Sequence, residues 1–119
     1  MKTKIRLAVV GSRSFTDRVL LCETMKKILA KYDIEAIVTG GANGADSLGA
    51  NYAMENNIPL VVHKPDWGRY GKSAGFVRNH DIIKDCTHCV AFWDGESKGT
   101  KHDIELCRKL GKPFRVVRF

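Results

Sequence analysis

The sequence has no long apolar segment. Its longest apolar runs, which include Leu7–Val10 and Val90–Trp93, have the length of a strand and are too short to span a membrane. An export signal is missing as well, because the apolar stretch after the first basic residues stops at Gly11. We therefore expect a cytoplasmic protein without membrane contact, whose four cysteines stay reduced.

Two common nucleotide-binding fingerprints are incomplete. Gly71-Lys72-Ser73 resembles the end of a P-loop, but Asp66 stands where the P-loop has its first glycine, and its carboxylate would repel phosphates. The GxGxxG pattern of NAD-binding folds is absent. The sequence thus disfavours an NTPase and ordinary NAD binding.

Length and composition indicate one globular domain over residues 1–119. An apolar content of 44% suffices for a single buried core, and no linker, repeat or low-complexity segment divides the chain. The net charge is +7, and the basic excess is greater in residues 61–119 than in residues 1–60. This charge favours a polyanionic ligand or partner, nucleic acid included, although a merely soluble basic surface explains it equally well.

Strands and helices alternate along the whole chain. Apolar runs predict strands at 5–10, 36–39, 60–62, 88–93 and 114–117. A first helical pattern follows the first strand, and further ones follow at 44–56, 73–85 and 100–110. The first helix is capped by Thr16 or Asp17, and its apolar stripe comprises Leu21, Met25, Ile28, Leu29 and Tyr32. This alternation predicts a Rossmann-like three-layer α/β domain, with a mostly parallel sheet of about five strands covered by helices on both faces.

The run Ile37–Asp46 carries the clearest functional signal. An apolar strand ends in a glycine-rich turn, and an alanine-rich helix begins at once. Such a turn presents bare backbone N–H groups and a positive helix end to an anion, most often a phosphate. The candidate ligand-binding residues here are Gly40, Gly41, Ala42, Gly44 and Asp46. Binding of a phosphorylated small molecule is the leading hypothesis.

Further candidates follow other strands, and ligands of open parallel sheets bind beyond the carboxyl ends of the strands. They are Gly11, Ser12 and Arg13 after the first strand, Trp67 and Lys72 in a long polar loop, Arg78 and Asn79 on the third helix, and Gly99 and Thr100 at the fourth. Arg78 suits a bidentate phosphate fork, or else an ion pair with Asp81 or Asp85. Thr100 with Asp103 suits a phosphosugar, or else a helix capping box.

The cysteines offer a different interpretation. Cys86, Cys89, His102 and Cys107 satisfy the spacing C-x2-C-x12-H-x4-C, which matches a zinc finger. The alternative is that these cysteines are core residues of the fourth strand and the last helix. We favour the core and predict no metal site.

Four motifs together resemble the YspA/YpsA-related branch of the SLOG superfamily. The motifs are Gly11–Phe15, Gly40–Asp46, Pro65–Asn79 and Trp93–Thr100, and they cover essentially the whole chain in the right order. The superfamily also contains the LOG phosphoribohydrolases and the DprA DNA-processing proteins. The resemblance implies a Rossmann-like fold that binds a nucleotide or a nucleotide-derived ligand, phosphoribosyl or ADP-ribose-like, and a homodimer.

The resemblance extends in part to catalysis. LOG enzymes cleave the N-glycosidic bond of nucleoside 5′-monophosphates with an arginine on the third helix and a glutamate after a PGGxGT loop. Arg78 aligns with that arginine, Gly99-Thr100 with the GT pair, and Asp103 with the glutamate. The PGG segment is absent, and the carboxylate is one methylene shorter. The resemblance therefore implies that this chain shares ligand binding with the LOG enzymes, whereas it leaves open whether the chain hydrolyses the ligand.

The chemistry of such a cleavage requires a carboxylate, since positive charge develops on the sugar. Asp103 is the first candidate, Asp46 the second and Glu96 the third, and the reaction needs no metal or cofactor. Single-stranded nucleic-acid binding in the manner of DprA is the alternative function, with Trp67 and Tyr70 stacking on bases.

Overall fold

Five parallel strands form the centre of the structure. The computed structural model describes residues 2–119. Its strands are β1 (Thr3–Gly11), β2 (Tyr32–Thr39), β3 (Leu60–Val62), β4 (His88–Trp93) and β5 (Phe114–Arg118). They are ordered β3-β2-β1-β4-β5, and all neighbours pair in parallel. The chain runs outwards from β1 to β3 and then returns to β4, so the strand order reverses between β1 and β4. The predicted Rossmann-like α/β fold is confirmed.

Helices cover both faces of the sheet. They are α1 (Arg18–Lys31), α2 (Ala45–Glu55), α3 (Trp67–Tyr70), α4 (Ala74–Asp85) and α5 (Lys98–Leu110), with a 3-10 turn at Gly71–Ser73 between α3 and α4. Helices α1 and α2 pack against one apolar cluster, and α4 and α5 against the other. No helix in the described part of the chain is both long and apolar enough to cross a bilayer.

The central strand shows why the sequence folds in three layers. Leu7 and Val9 of β1 belong to the cluster beneath α1 and α2, whereas Ala8 and Val10 belong to the cluster beneath α4 and α5. All four side chains are at most 2% exposed. Since successive residues of a strand point to opposite faces, a strand covered on both sides has to be continuously apolar.

Two local predictions are corrected. Tyr32, expected on the stripe of the first helix, has extended backbone and begins β2, which is longer than the predicted 36–39. The long polar loop contains α3, because the Asp66 side chain accepts a hydrogen bond from the Arg69 N–H and caps a short helical turn. The Asp17 cap of α1 is confirmed, since its carboxylate accepts from the Leu20 N–H at 2.9 Å.

Helix α2 packs closely against β1 at Gly49. A Cβ atom at Gly49 would stand 2.6 Å from Val9 Cγ1 and 2.9 Å from Val9 Cβ. These are core atoms of a stiff β-branched side chain, so they cannot move aside cheaply. Glycine at position 49 therefore sets the distance between helix and sheet.

We predict opposite effects from two glycine-to-alanine substitutions. Gly49→Ala should lower the free energy of unfolding by about 1–3 kcal/mol, because it overpacks the contact with Val9. Gly75→Ala on α4 should raise it by about 0.5–1 kcal/mol, because a Cβ there meets nothing within 4 Å and alanine favours the helix. Urea denaturation measures both. A Gly49→Ala variant as stable as the parent would contradict the close packing of α2.

Candidate functional site

A cleft of about 430 Å³ opens at the carboxyl edge of the sheet, where the strand order reverses. Its walls come from the loops after β1, β2 and β4 and from helices α2, α4 and α5. The lining residues are Val10, Gly11, Ser12, Arg13, Ser14, Ala42, Asp46, Arg78, Asn79, Ile82, Asp94, Ser97, Gly99, Thr100 and Asp103. The position agrees with the general rule for ligand sites in open parallel sheets.

Hydrogen bonds join the two loops that flank the reversal of strand order. The Ser12 N–H donates to the Phe92 carbonyl at 2.8 Å, and the Asp94 N–H donates to Ser12 Oγ at 3.2 Å. Asp94 Oδ1 accepts from the N–H groups of Glu96 and Ser97, each at 2.8 Å. These backbone donors hold the pKa of Asp94 below its usual range. The loop before α5 is thereby fixed against the end of β1.

Asp46 holds the glycine-rich turn in place. Its Oδ2 accepts from the Gly40 N–H at 3.1 Å and from the Ala42 N–H at 3.3 Å. Burial raises the pKa of Asp46, and these donors together with the Arg78 charge oppose that rise. The expectation of bare N–H groups in this turn is therefore corrected at two positions, since the protein's own carboxylate already takes up those of Gly40 and Ala42.

Arg78 is oriented by the same turn. Its Nη1 donates to the Gly40 carbonyl at 2.8 Å, and its Nε donates to Asn79 Oδ1 at 3.0 Å. A Cβ at position 40 would stand 2.7 Å from Nη1, so only glycine leaves room for the guanidinium. The expected alternative, an ion pair with Asp81 or Asp85, is not observed among the described residues.

The partners of Asp85 explain why it is not available to Arg78. Asp85 Oδ1 lies 2.8 Å from Arg6 Nη2, and Asp85 Oδ2 lies 2.8 Å from His63 Nε2. Arg6 belongs to β1, and His63 directly follows β3. These two contacts therefore anchor the C-terminal end of α4 to the sheet. The carboxylate of Asp85 is thus occupied, and the side chain of Arg78 lines the cleft instead.

Asp103 forms part of the cleft floor. The residue is 5% exposed, and its Oδ1 is buried without a hydrogen-bond partner in the described part of the chain. Burial raises the pKa of Asp103 well above its usual value, and the nearby Asp46 raises it further, while Arg78 acts in the opposite direction. Asp46 and Asp103 thus form a pair of buried acidic groups in one cleft.

The predicted capping box at the start of α5 is wrong. The helix begins at Lys98, and its cap is Ser97, whose Oγ lies 3.5 Å from the Thr100 N–H and 3.1 Å from Thr100 Oγ1. The helix starts earlier because the hydrogen bonds of Asp94 turn the preceding loop. Thr100 and Asp103 are consequently buried in the first turns of the helix and face the cleft.

A second cavity of about 250 Å³ adjoins the cleft and shares Arg13, Ala42 and Arg78 with it. The other lining residues are Gly40, Gly41, Asn43, Pro65 and Trp67. Within residues 2–119, no carboxylate side chain lines this cavity, whereas Asp46, Asp94 and Asp103 line the cleft. The site is therefore divided into a basic part and a part rich in acidic groups.

Most of the predicted ligand-binding residues come together at these two cavities. Gly44 and Lys72 line neither cavity. Gly44, with a φ of +78°, packs against the backbone of Ser12 and Arg13, and Lys72 is exposed on the 3-10 turn. Glu96 is also exposed and lines neither cavity. Ser14, Asp94 and Ser97 line the cleft but were not among the predicted site residues. The sequence did contain a signal for Asp94, because this residue stands between a predicted strand and a glycine.

The residues of the zinc-finger spacing do not converge on a metal site. Cys86, Cys89 and Cys107 are buried in the apolar cluster beneath α4 and α5. His102 Nδ1 lies 3.2 Å from Asn79 Nδ2, and its ring packs edge-on against Phe76. Residues 2–119 contain no group of three or more histidine, cysteine or acidic side chains placed to hold a metal ion.

Comparison with known proteins identifies similar sequences. The family model described as YspA, cpYpsA-related SLOG family matches residues 5–70, from β1 to α3. The Gene 61 protein of Mycobacterium phage D29 is 31% identical over 121 residues, which cover 96% of this chain and 95% of that protein. No solved structure matches the chain. The family match includes the glycine-rich turn and Asp46 but stops before Arg78 and Asp103.

We predict that Asp103 makes the protein less stable as the pH rises. The folded-state pKa lies above the unfolded one, so the folded protein holds a proton that the unfolded chain loses above about pH 4. Asp103→Asn lacks this titration. The unfolding free energy of the variant should therefore rise relative to the parent as the pH increases above about 4.

Urea denaturation at several pH values measures this difference. Glu105→Gln is the matched control, because it likewise replaces an acid by its amide, at an exposed position of the same helix. A difference between Asp103→Asn and the parent that stays constant from pH 4 to pH 8 would contradict the raised pKa.

Proposed function

Because the chain belongs to the YspA- and cpYpsA-related SLOG family, we propose that it binds a nucleotide or nucleotide-derived ligand, phosphoribosyl or ADP-ribose-like, at the carboxyl edge of its sheet. The observation that carries this proposal is the division of the site into two adjoining cavities. They share Arg13 and Arg78, and in the described part of the chain acidic side chains line only one of them. A ligand with an anionic end and an uncharged, hydroxylated end matches this arrangement.

The charges favour one orientation of such a ligand. A phosphate in the cleft would lie among Asp46, Asp94 and Asp103, and repulsion between like charges opposes that placement. In the smaller cavity the phosphate meets Arg13 and Arg78 and no carboxylate. Arginine is suited to phosphate because its planar guanidinium donates two parallel hydrogen bonds. We place the phosphate there, and the sugar and base extend into the cleft.

Cleavage of an N-glycosidic bond is a further step of the proposal. Asp103 and Arg78 line the same cleft, and a carboxylate beside the sugar would stabilise the positive charge that develops as the bond breaks. The raised pKa of Asp103 opposes this role, since the group stabilises a cation only when it is ionised. The geometry therefore supports binding more directly than hydrolysis.

A surface beside the site favours nucleic acid as the second candidate ligand. Trp67 is 56% exposed and Tyr70 is 39% exposed, both on α3. The Arg69 guanidinium lies 5.1 Å from the centre of the Tyr70 ring. Exposed aromatic rings next to arginine are used by proteins that stack and bind single-stranded bases. Trp67 also lines the smaller cavity, so it serves a mononucleotide equally well.

A thermal-shift panel tests the proposed function. The ligands are AMP, GMP, CMP, ribose 5-phosphate, ADP-ribose and a short oligothymidylate. A ligand at about a hundred times its Kd stabilises the fold by about 2.7 kcal/mol, which raises the Tm by several degrees. We expect a shift with at least one small ligand, and Arg78→Ala should abolish it.

Two control variants make the panel specific. Lys84→Ala removes an exposed cation from the same helix and should keep the shift. Arg78→Lys keeps the charge but loses the planar fork, so it should weaken binding without changing the fold. A shift with the oligonucleotide alone, lost steeply with added salt, would overturn the small-ligand proposal in favour of nucleic acid. No shift with any of these ligands would contradict both.

A further inference from the structure

Most polar side chains in the cleft already have partners within the protein. Asp46 accepts from backbone N–H groups, and Thr100 Oγ1 lies within hydrogen-bond distance of Ser97 Oγ. Asn79 Nδ2 contacts the Gly99 carbonyl at 3.5 Å and His102 Nδ1 at 3.2 Å. These contacts hold the side chains in place when no ligand is bound.

Among the buried side chains of the cleft that the structure describes, Asp103 has an oxygen without a partner. Its Oδ1 is buried without a partner in the part of the chain that the structure describes, although the residue is only 5% exposed and lines the cleft. Buried polar atoms of folded proteins are normally hydrogen-bonded, and an unpartnered one is unfavourable. Because the carboxyl group turns about its last bond, a ligand group on the cleft floor can supply the missing partner.

The surroundings of Asp103 define the chemistry of that group. Burial and the neighbouring Asp46 raise the pKa of Asp103, which favours the neutral form of this carboxyl group. A neutral carboxyl group both donates and accepts, which matches a hydroxyl group. An ammonium group requires an ionised partner, and a phosphate is disfavoured by Asp46. An uncharged hydroxyl group therefore fits best.

Arg78 lies at the junction between the proposed phosphate position and the cleft that would hold this hydroxyl group. It lines both cavities, so a group attached to a phosphate held by Arg78 in the smaller cavity has room in the cleft that Asp103 lines. In a nucleoside 5′-phosphate that attached group is the ribose. We infer that Asp103 binds a ribose hydroxyl and thereby makes the site selective for ribonucleotides over their deoxy analogues. This inference rests on the proposed function.

Pairs of ligands that differ by one hydroxyl group test the inference. Isothermal titration compares AMP, GMP and CMP with their 2′-deoxy and 3′-deoxy forms on the purified protein. We expect at least one deoxy form of the bound nucleotide to bind at least about tenfold more weakly than the ribonucleotide. Without the hydroxyl group, Asp103 stays buried and unpartnered in the complex. In Asp103→Ala the ratio of the two Kd values should fall to near one, with binding of the deoxy form little changed.

The controls separate recognition from a structural role. Glu105→Gln should keep the parent's ratio, and Asp103→Asn provides a nearly isosteric second variant if Asp103→Ala does not fold. If Asp103 had only a structural role, its replacement would weaken binding of the ribo and deoxy forms equally. That result would overturn the inference. Equal binding of ribo and both deoxy forms by the parent protein would overturn it too, while the proposed function stands. Failure to bind any nucleotide would remove the proposed function and the inference together.

Discussion

The hydrogen bonds between the Asp46 carboxylate and the turn after β2 determine how the rest of the site is arranged. They fold the backbone from Gly40 to Ala42 back onto the first turn of α2. This places the Gly40 carbonyl where it accepts from Arg78 of α4. One buried acidic residue thereby links the helix on one face of the sheet to a helix on the other. Gly49 supports this arrangement, since it lets α2 lie close to β1.

This use of Asp46 changes how the glycine-rich turn is understood. Turns of this kind often bind phosphate through free N–H groups, yet here a carboxylate of the same chain already occupies two of them. In the proposed function, the positive charge for an anionic ligand comes instead from Arg13 and Arg78, which line both cavities. By the same proposal, the turn mainly supports Arg78, and the acidic groups of the cleft keep the anion in the smaller cavity.

The fold was predictable because the central strands are buried on both faces. The bounds of β3 and β4 agree with the prediction, since continuous apolar runs mark them directly. Local errors arose where strand pairing or a side-chain hydrogen bond decides the backbone conformation. Tyr32 continues the helical stripe by its spacing, yet it begins β2, and α5 starts early because Asp94 shapes the loop before it.

The candidate site was predictable in its position but not in its internal contacts. Parallel strands bring their following loops to one edge, so the grouping of Arg13, Asp46, Arg78 and Thr100 follows from topology. The hydrogen bond between Arg78 and the Gly40 carbonyl joins residues 38 positions apart. It depends on how α4 packs against the sheet, and no local pattern encodes that distance. The unpartnered Oδ1 of Asp103 likewise emerges only from three-dimensional packing.

The central claim is that a phosphorylated ligand binds at the carboxyl edge, with its phosphate beside Arg13 and Arg78. Chemical-shift mapping by ¹H–¹⁵N NMR during titration with the nucleotide of the largest thermal shift tests this most directly. The account predicts that the amides of residues 11–14, 40–43 and 97–100 move together, while those at the amino edge, such as Thr87 and Lys112, stay in place. Shifts confined to the amino edge, or to α3 alone, would contradict it.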